Sequence, residues 1–309
     1  MPPPSSRPRE RKCPVRPAHL CRSWLFVDGA DETALLATAP RSEADVLVQE
    51  LEDFTPPDLR PKARALCPEV MKAWRAAGRV AGVRVNPLDG DGMDDLAAVM
   101  RGAPDIIGLP KVAEPAHIVR LEQEITRFER AYGLPEGSTA IWPNIELARG
   151  LVQTVAIGRA SRRTVACLMA SEDLATDIGA ERGRDGIELA YCRQRFLIEC
   201  VAAGVVAVDC PYTWRDPEGA EQDARWARRL GYKAKSTVVA EHAAILNRVL
   251  TPSAEEVERA QEIVSAFETA RGRGQSRVAV AGSMIEMPIY NNARRLLARA
   301  SELAAAGAR

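Results

Sequence analysis

From Arg22 onward, short runs of apolar and β-branched residues alternate with longer stretches whose apolar residues recur every three or four positions. The short runs predict eight strands, at 23–29, 44–53, 81–86, 104–112, 138–146, 163–170, 205–212 and 232–239. Helix-like stretches follow the second, fourth, sixth and seventh of these, and several close on Gly, a common helix C-cap. Strands apolar at nearly every position belong to a parallel sheet covered on both faces. Eight such units predict an α/β fold of the (β/α)8 barrel, or TIM barrel, type. A doubly wound open sheet is the rival, but the first turn, "DGADET", is not the Gly-rich turn that fold favours.

Past residue 250 the pattern changes. "TPSAEEVERAQEIVSAFETARGRG" offers Thr251 or Ser253 as helix caps, and "SRVAVAG", "SMIEMP" and a terminal helix "NNARRLLARASELAAAG" follow. The expected domains are a flexible Pro/Arg-rich tail at 1–21, a barrel at 22–250 and a helical extension at 251–309.

Composition narrows the functional classes. Lys+Arg and Asp+Glu are 42 each and aromatic residues are 5%, so neither bulk charge nor a stacking surface predicts nucleic-acid or membrane binding. No apolar run reaches the length of a membrane span. The first 21 residues lack the apolar core of a secretory signal. The seven cysteines are odd in number and without CxxC spacing, as expected of reduced thiols in a cytoplasmic protein. His19, His117 and His242 have no metal-ligand spacing.

In a barrel of this kind, functional residues project from the C-terminal ends of the strands. Read there, strand two supplies Glu50, Glu52 and Asp53, strand three Arg84 and Asn86, and strand four Lys111. Strand five supplies Glu146, Asp173 follows strand six, strand seven ends near Asp209, and strand eight carries Lys235. Singly, each has an ordinary structural reading: Glu146 and Asp173 as helix-start acids, Arg84 as an ion-pair partner, Lys111 as a surface lysine. Together they favour a site. Carboxylates without Cys or His partners suit a hard cation such as Mg²⁺. An arginine beside it suits a carboxylate or oxyanion. That combination predicts metal-assisted carbon–carbon bond chemistry next to a carbonyl.

At these residues the chain resembles the HpcH/HpaI aldolase / citrate lyase β-subunit family. "RSWLFVDG" is similar to R-S-x-L-F-V-P-G, and "ELEDFTPPDLRPKAR" to D-L-E-D-A-V-x-P-x-x-K-x-x-A-R. "VRVNPLDGDGMDDL", "GLPKV", "IELARGL", "AVDCPY" and "GSMIEMP" follow in family order. The resemblance implies Glu146 and Asp173 as Mg²⁺ ligands and Arg84 as a catalytic residue holding the substrate carboxylate and keto oxygen. It implies Glu286 as a catalytic carboxylate on an extension that closes over a neighbouring subunit. Arg22 and Lys111 are expected to assist substrate binding, and Glu50, Glu52 and Asp53 to support the site from behind. The implied reaction cleaves or forms a short 3-hydroxyacyl thioester, on CoA or a carrier protein, giving acetyl-CoA and a keto acid. A trimer or hexamer is the implied assembly. The segment "ADETALLATA" lacks the basic residues that help hold CoA in relatives, and Ala234, Val239-Ala240 and His242 replace the family's Gly, His-Pro and Gln. These departures motivate two alternatives: a thioester-independent aldolase with His242 as base, and a non-enzymatic paralogue that keeps the metal site.

Overall fold

The computed structural model describes residues 16–307. The greater part of the expected tail lies outside the described residues. The chain forms two compact units, Met1–Arg248 and Val249–Arg309.

In the first unit each apolar run contributes one strand: β1 Ser23–Asp28, β2 Val46–Glu50, β3 Val80–Arg84, β4 Ile106–Leu109, β5 Ala140–Ile145, β6 Ala166–Met169, β7 Val206–Asp209 and β8 Ala234–Thr237. They pair in sequence order, all parallel, and β8 closes on β1. The helices of this unit are α1 Arg60–Ala76, α2 Gly92–Val99, α3 Pro115–Ala131, the short α4 Ala148–Leu151, α5 Thr154–Gly158 and α6 Ser171–Asp177, then α7 Ala190–Ala203 and α8 Pro217–Leu230. α9, His242–Leu250, follows β8.

Two apolar layers explain why the strands are hydrophobic throughout. Trp24, Phe26, Val46, Val48, Val80, Ile106, Trp142, Leu168, Val208 and Ala234 fill the barrel interior. Their strand neighbours, such as Leu25, Leu47, Val83, Ile107, Ile141 and Cys167, pack under the helices. Successive strand residues point to opposite faces, so parity separates the layers. Across the interior, the Trp142 ring lies over Gly108, where a Cβ would come within 2.1 Å of it. Trp24 meets Trp142 edge-on at 5.5 Å.

Residues 16–21 depart from the tail reading. Arg16 pairs with Asp45, just before β2, and Leu20 and Cys21 are buried. An ion pair and two apolar side chains hold this stretch against the N-terminal end of the barrel.

The second unit contains α10 Ala254–Gly272, an antiparallel pair β9 Val278–Val280 and β10 Ser283–Ile285, and α11 Met287–Gly307. Ser253 caps α10 in a reciprocal box: Glu256 N donates to Ser253 Oγ at 3.2 Å, and Ser253 N to Glu256 Oε2 at 2.8 Å. Phe267 of α10 stacks on Tyr290 of α11 at 4.7 Å.

Candidate active site

Parity decides which polar strand ends meet. Val46 and Val48 face the interior, so Glu50 and Glu52 continue that line to the barrel mouth. Val80 and Gly82 lead to Arg84, and Trp142 and Asn144 to Glu146. All four charged side chains are almost fully buried.

Arg84 is their hub. Its Nε donates to Glu50 Oε1 at 2.9 Å, its Nη2 lies 3.3 Å from Glu52 Oε2, and its Nη1 lies 3.9 Å from Glu146 Oε2. Burial opposes its charge, but Glu50, Glu146 and Glu52 outweigh that and hold its proton more tightly than usual. Glu50 also shapes the loop above: Glu52 N and Phe54 N each donate to its carboxylate at 2.7 Å. The "LEDF" stretch is therefore folded around the acid that precedes it.

Glu146 is aimed from two sides. The Lys111 backbone N–H donates to Oε1, and Asn144 Nδ2 donates to Oε2 at 3.4 Å. Asn144 is itself set by Trp142, whose Nε1 donates to Asn144 Oδ1 at 2.9 Å. Burial pushes the Glu146 carboxyl up to about 7, with Glu52 and Asp173 adding to the rise and Arg84 opposing it. Asp173, in the first turn of α6, is raised chiefly by burial and then by Asp53. The two carboxylates thus carry negative charge that the local cations leave under-compensated. A bound cation would correct this. Among the described residues no three His, Cys, Asp or Glu side chains gather into a metal cage. The pair fits an ion that keeps water and substrate oxygens in its shell, which is the habit of Mg²⁺.

Lys111 arrives by an irregular route. Counted from Ile107 and Leu109, its parity is that of the helix-facing layer, but its backbone is left-handed, with φ 52°. The turn sends Nζ to Glu52 and within 3.6 Å of Asp53. Burial works against its charge, yet the bond to Glu52 raises its pKa.

Other candidates fall elsewhere. Arg22 precedes β1, at the opposite end of the barrel, where its Nε and backbone N–H donate to Asp45 Oδ2 at 2.9 and 2.7 Å. It braces the floor and does not reach the mouth, which corrects its assignment to substrate binding. Asp209 and Lys235 have the parity of the outer layer. Lys235 Nζ donates to Asp209 Oδ2 at 2.8 Å and pairs with Asp223 of α8, while Arg193 of α7 donates to Asp209 through Nε at 2.9 Å. This quartet fastens strands to helices. Asn86 serves a similar purpose, giving Nδ2 to Leu51 O and Asp95 Oδ2, both at 2.8 Å. His242 is buried with Nε2 3.3 Å from the Arg215 carbonyl. Glu286, in the second unit between β10 and α11, is exposed. Sequence reasoning passed over Phe54, Trp142 and Asn144. Inward parity would have found the last two.

Comparison with known proteins agrees with this architecture. A model of the HpcH/HpaI aldolase/citrate lyase family matches residues 22–240. Citrate lyase subunit beta of Escherichia coli (strain K12) is 33% identical over 281 residues, covering 90% of this chain and 93% of that protein. A (3S)-malyl-CoA thioesterase of Cereibacter sphaeroides (strain ATCC 17029 / ATH 2.4.9) is 30% identical over 290 residues, 93% and 97% of the respective chains. The solved citrate lyase beta subunit from M. tuberculosis, complexed with oxaloacetate and magnesium, aligns with a TM-score of 0.62 at 25% identity, covering 75% of this chain and 97% of that one.

Proposed function

Because the chain belongs to the HpcH/HpaI aldolase/citrate lyase family, we propose that it is a Mg²⁺-dependent carbon–carbon lyase that cleaves, or forms, a short 3-hydroxyacyl thioester of the CoA type. The products of cleavage are an acetyl thioester and a 2-oxo acid. One observation carries this reading: a buried arginine faces a buried carboxylate that burial holds up to about 7, with a second raised carboxylate beside it. A relative's solved complex with oxaloacetate and magnesium supports it.

Glu146 and Asp173 would hold the Mg²⁺. Bound there, the ion supplies Lewis-acid polarisation of the keto oxygen. Arg84 would take the carboxylate of the 2-oxo acid. Of its three partners Glu146 is the most distant, at 3.9 Å, so the Nη1 edge is the one free to turn to a ligand. Glu50 and Glu52 keep the guanidinium in place while this happens, and Lys111 ties Glu52 and Glu146 into one unit through its side chain and backbone. Glu286 would carry a proton to or from the acetyl carbon, acting on the barrel of a neighbouring subunit in a trimer or hexamer.

A panel of short 3-hydroxyacyl-CoA thioesters, assayed for 2-oxo acid release across a Mg²⁺ titration, tests the proposal. Glu146→Ala and Asp173→Ala are expected to abolish metal-dependent turnover. Undiminished turnover by both variants in excess chelator would sink it. A thioester-independent aldolase using His242 as base finds no support in an imidazole packed beside the Arg215 carbonyl and the Tyr212 ring.

A further inference from the structure

Phe54 is an aromatic residue set among charges. It is 41% exposed, and Arg84 Cζ lies 5.9 Å from its ring centroid. The same guanidinium lies 5.3 Å from the ring of Phe26, inside the barrel. The exposed ring thus covers Arg84 from the mouth. Its backbone is firmly held. Phe54 N donates to Glu50 Oε2 at 2.7 Å, the next residue's Thr55 Oγ1 donates to Glu50 O at 2.5 Å, and Gly29 N donates to Thr55 Oγ1 at 3.1 Å. Glycine is needed at 29, since a Cβ there would stand 2.3 Å from the Glu50 carbonyl oxygen. The family motif that this stretch resembles has Ala where this chain has Phe54.

The charges around the ring set a second constraint. Apart from Glu146 and Asp173, which would hold the Mg²⁺, three carboxylates, Glu50, Glu52 and Asp53, stand against two cations, Arg84 and Lys111. Lys111 is engaged by Glu52 and Asp53. One ligand carboxylate can be met by Arg84. A second would meet the Phe54 ring or surplus negative charge, and desolvating it unpaired is expensive.

Resting on the lyase reading above, we propose that Phe54 is a specificity-determining residue that selects 2-oxo acids with one carboxylate and a short alkyl group over dicarboxylic 2-oxo acids. The ring gives the alkyl group an apolar wall and offers a second carboxylate no hydrogen-bond donor.

Titration calorimetry of the full chain in Mg²⁺, with pyruvate, 2-oxobutyrate and fresh oxaloacetate as probes, tests this. The wild type is expected to bind 2-oxobutyrate about tenfold more tightly than oxaloacetate, the scale on which an apolar pocket discriminates. Phe54→Leu should keep that preference, Phe54→Ala should erase most of it, and Phe54→Arg should reverse it. A wild type that prefers oxaloacetate overturns the selectivity while leaving the lyase reading intact. Equal weakening of all three acids in Phe54→Ala overturns the role of the ring. Binding of none of them by the wild type overturns both proposals.

Discussion

Arg84 is aimed by Glu50 from the adjacent strand: the two side chains, both buried, meet at 2.9 Å, and their Cα atoms are register partners in the β2–β3 pair. Glu50→Ala should therefore release three donors at once, the guanidinium and the Glu52 and Phe54 N–H groups. The expected cost is about 3–5 kcal/mol, as for one half of a buried ion pair. Glu50→Gln, which keeps an acceptor oxygen, should lose less. Denaturant unfolding of the three proteins is the measurement, and a Glu50→Ala protein as stable as the wild type would refute the arrangement.

Glu146→Gln should separate stability from activity. The carboxylate is buried and under-compensated, so a neutral side chain of the same shape should raise the melting temperature in chelator, by about 1 kcal/mol in stability. The same variant should lose the thermal shift that Mg²⁺ gives the wild type. A variant less stable than the wild type in chelator, or one that keeps the shift, contradicts this.

Lys235→Met tests the outward quartet. Removing the Lys235 ammonium leaves Asp209 and Asp223 to share Arg193, and the expected loss is about 3–5 kcal/mol. Turnover per folded molecule should not change, because the side chain faces the helices. A large fall in kcat with intact stability would place Lys235 in the site after all.

Acid stability should depend on Glu129. Burial opposes its charge, but Arg163 and the backbone N–H groups of Gly137 and Thr139 outweigh burial and hold the carboxyl below its ordinary 4.5. A depressed carboxyl adds stability that is complete above the ordinary value and is lost as pH falls through the folded one. Unfolding free energy should thus fall below about pH 4.5 in the wild type and fall less steeply in Glu129→Gln. Parallel acid limbs in the two proteins would exclude the pair as their source.

The barrel was legible because eight apolar runs alternate with amphipathic ones, and a candidate site could be named because strand exits carry charge in a series. Which exits meet was not legible. Strands covered on both faces are apolar at odd and even positions alike, so nothing in "AVDC" or "AKST" marks Asp209 and Lys235 as turned toward helices. Lys111 misleads in the other direction, since its left-handed turn brings an outward-parity residue to the mouth without a glycine to announce it. Arg22 matched a motif, but its place before the first strand assigns it to Asp45. Phe54 was passed over because its place beside Arg84 depends on a hydrogen-bonded turn around Glu50 that hydrophobicity cannot reveal.

The Trp142 ring lies over Gly108 and Gly82, one inward position below Arg84, with Trp24 edge-on beside it. The barrel is therefore a blind pit and not a tube. Whatever rests on Arg84 can leave only by the way it came, past anything lodged above it. For a reaction that splits one molecule in two, this imposes an order: the fragment nearer the indole floor departs last. For the thioester cleavage proposed above, product-inhibition kinetics should show the 2-oxo acid competing directly with substrate and the thioester product acting noncompetitively, and the opposite pattern would mean a second exit.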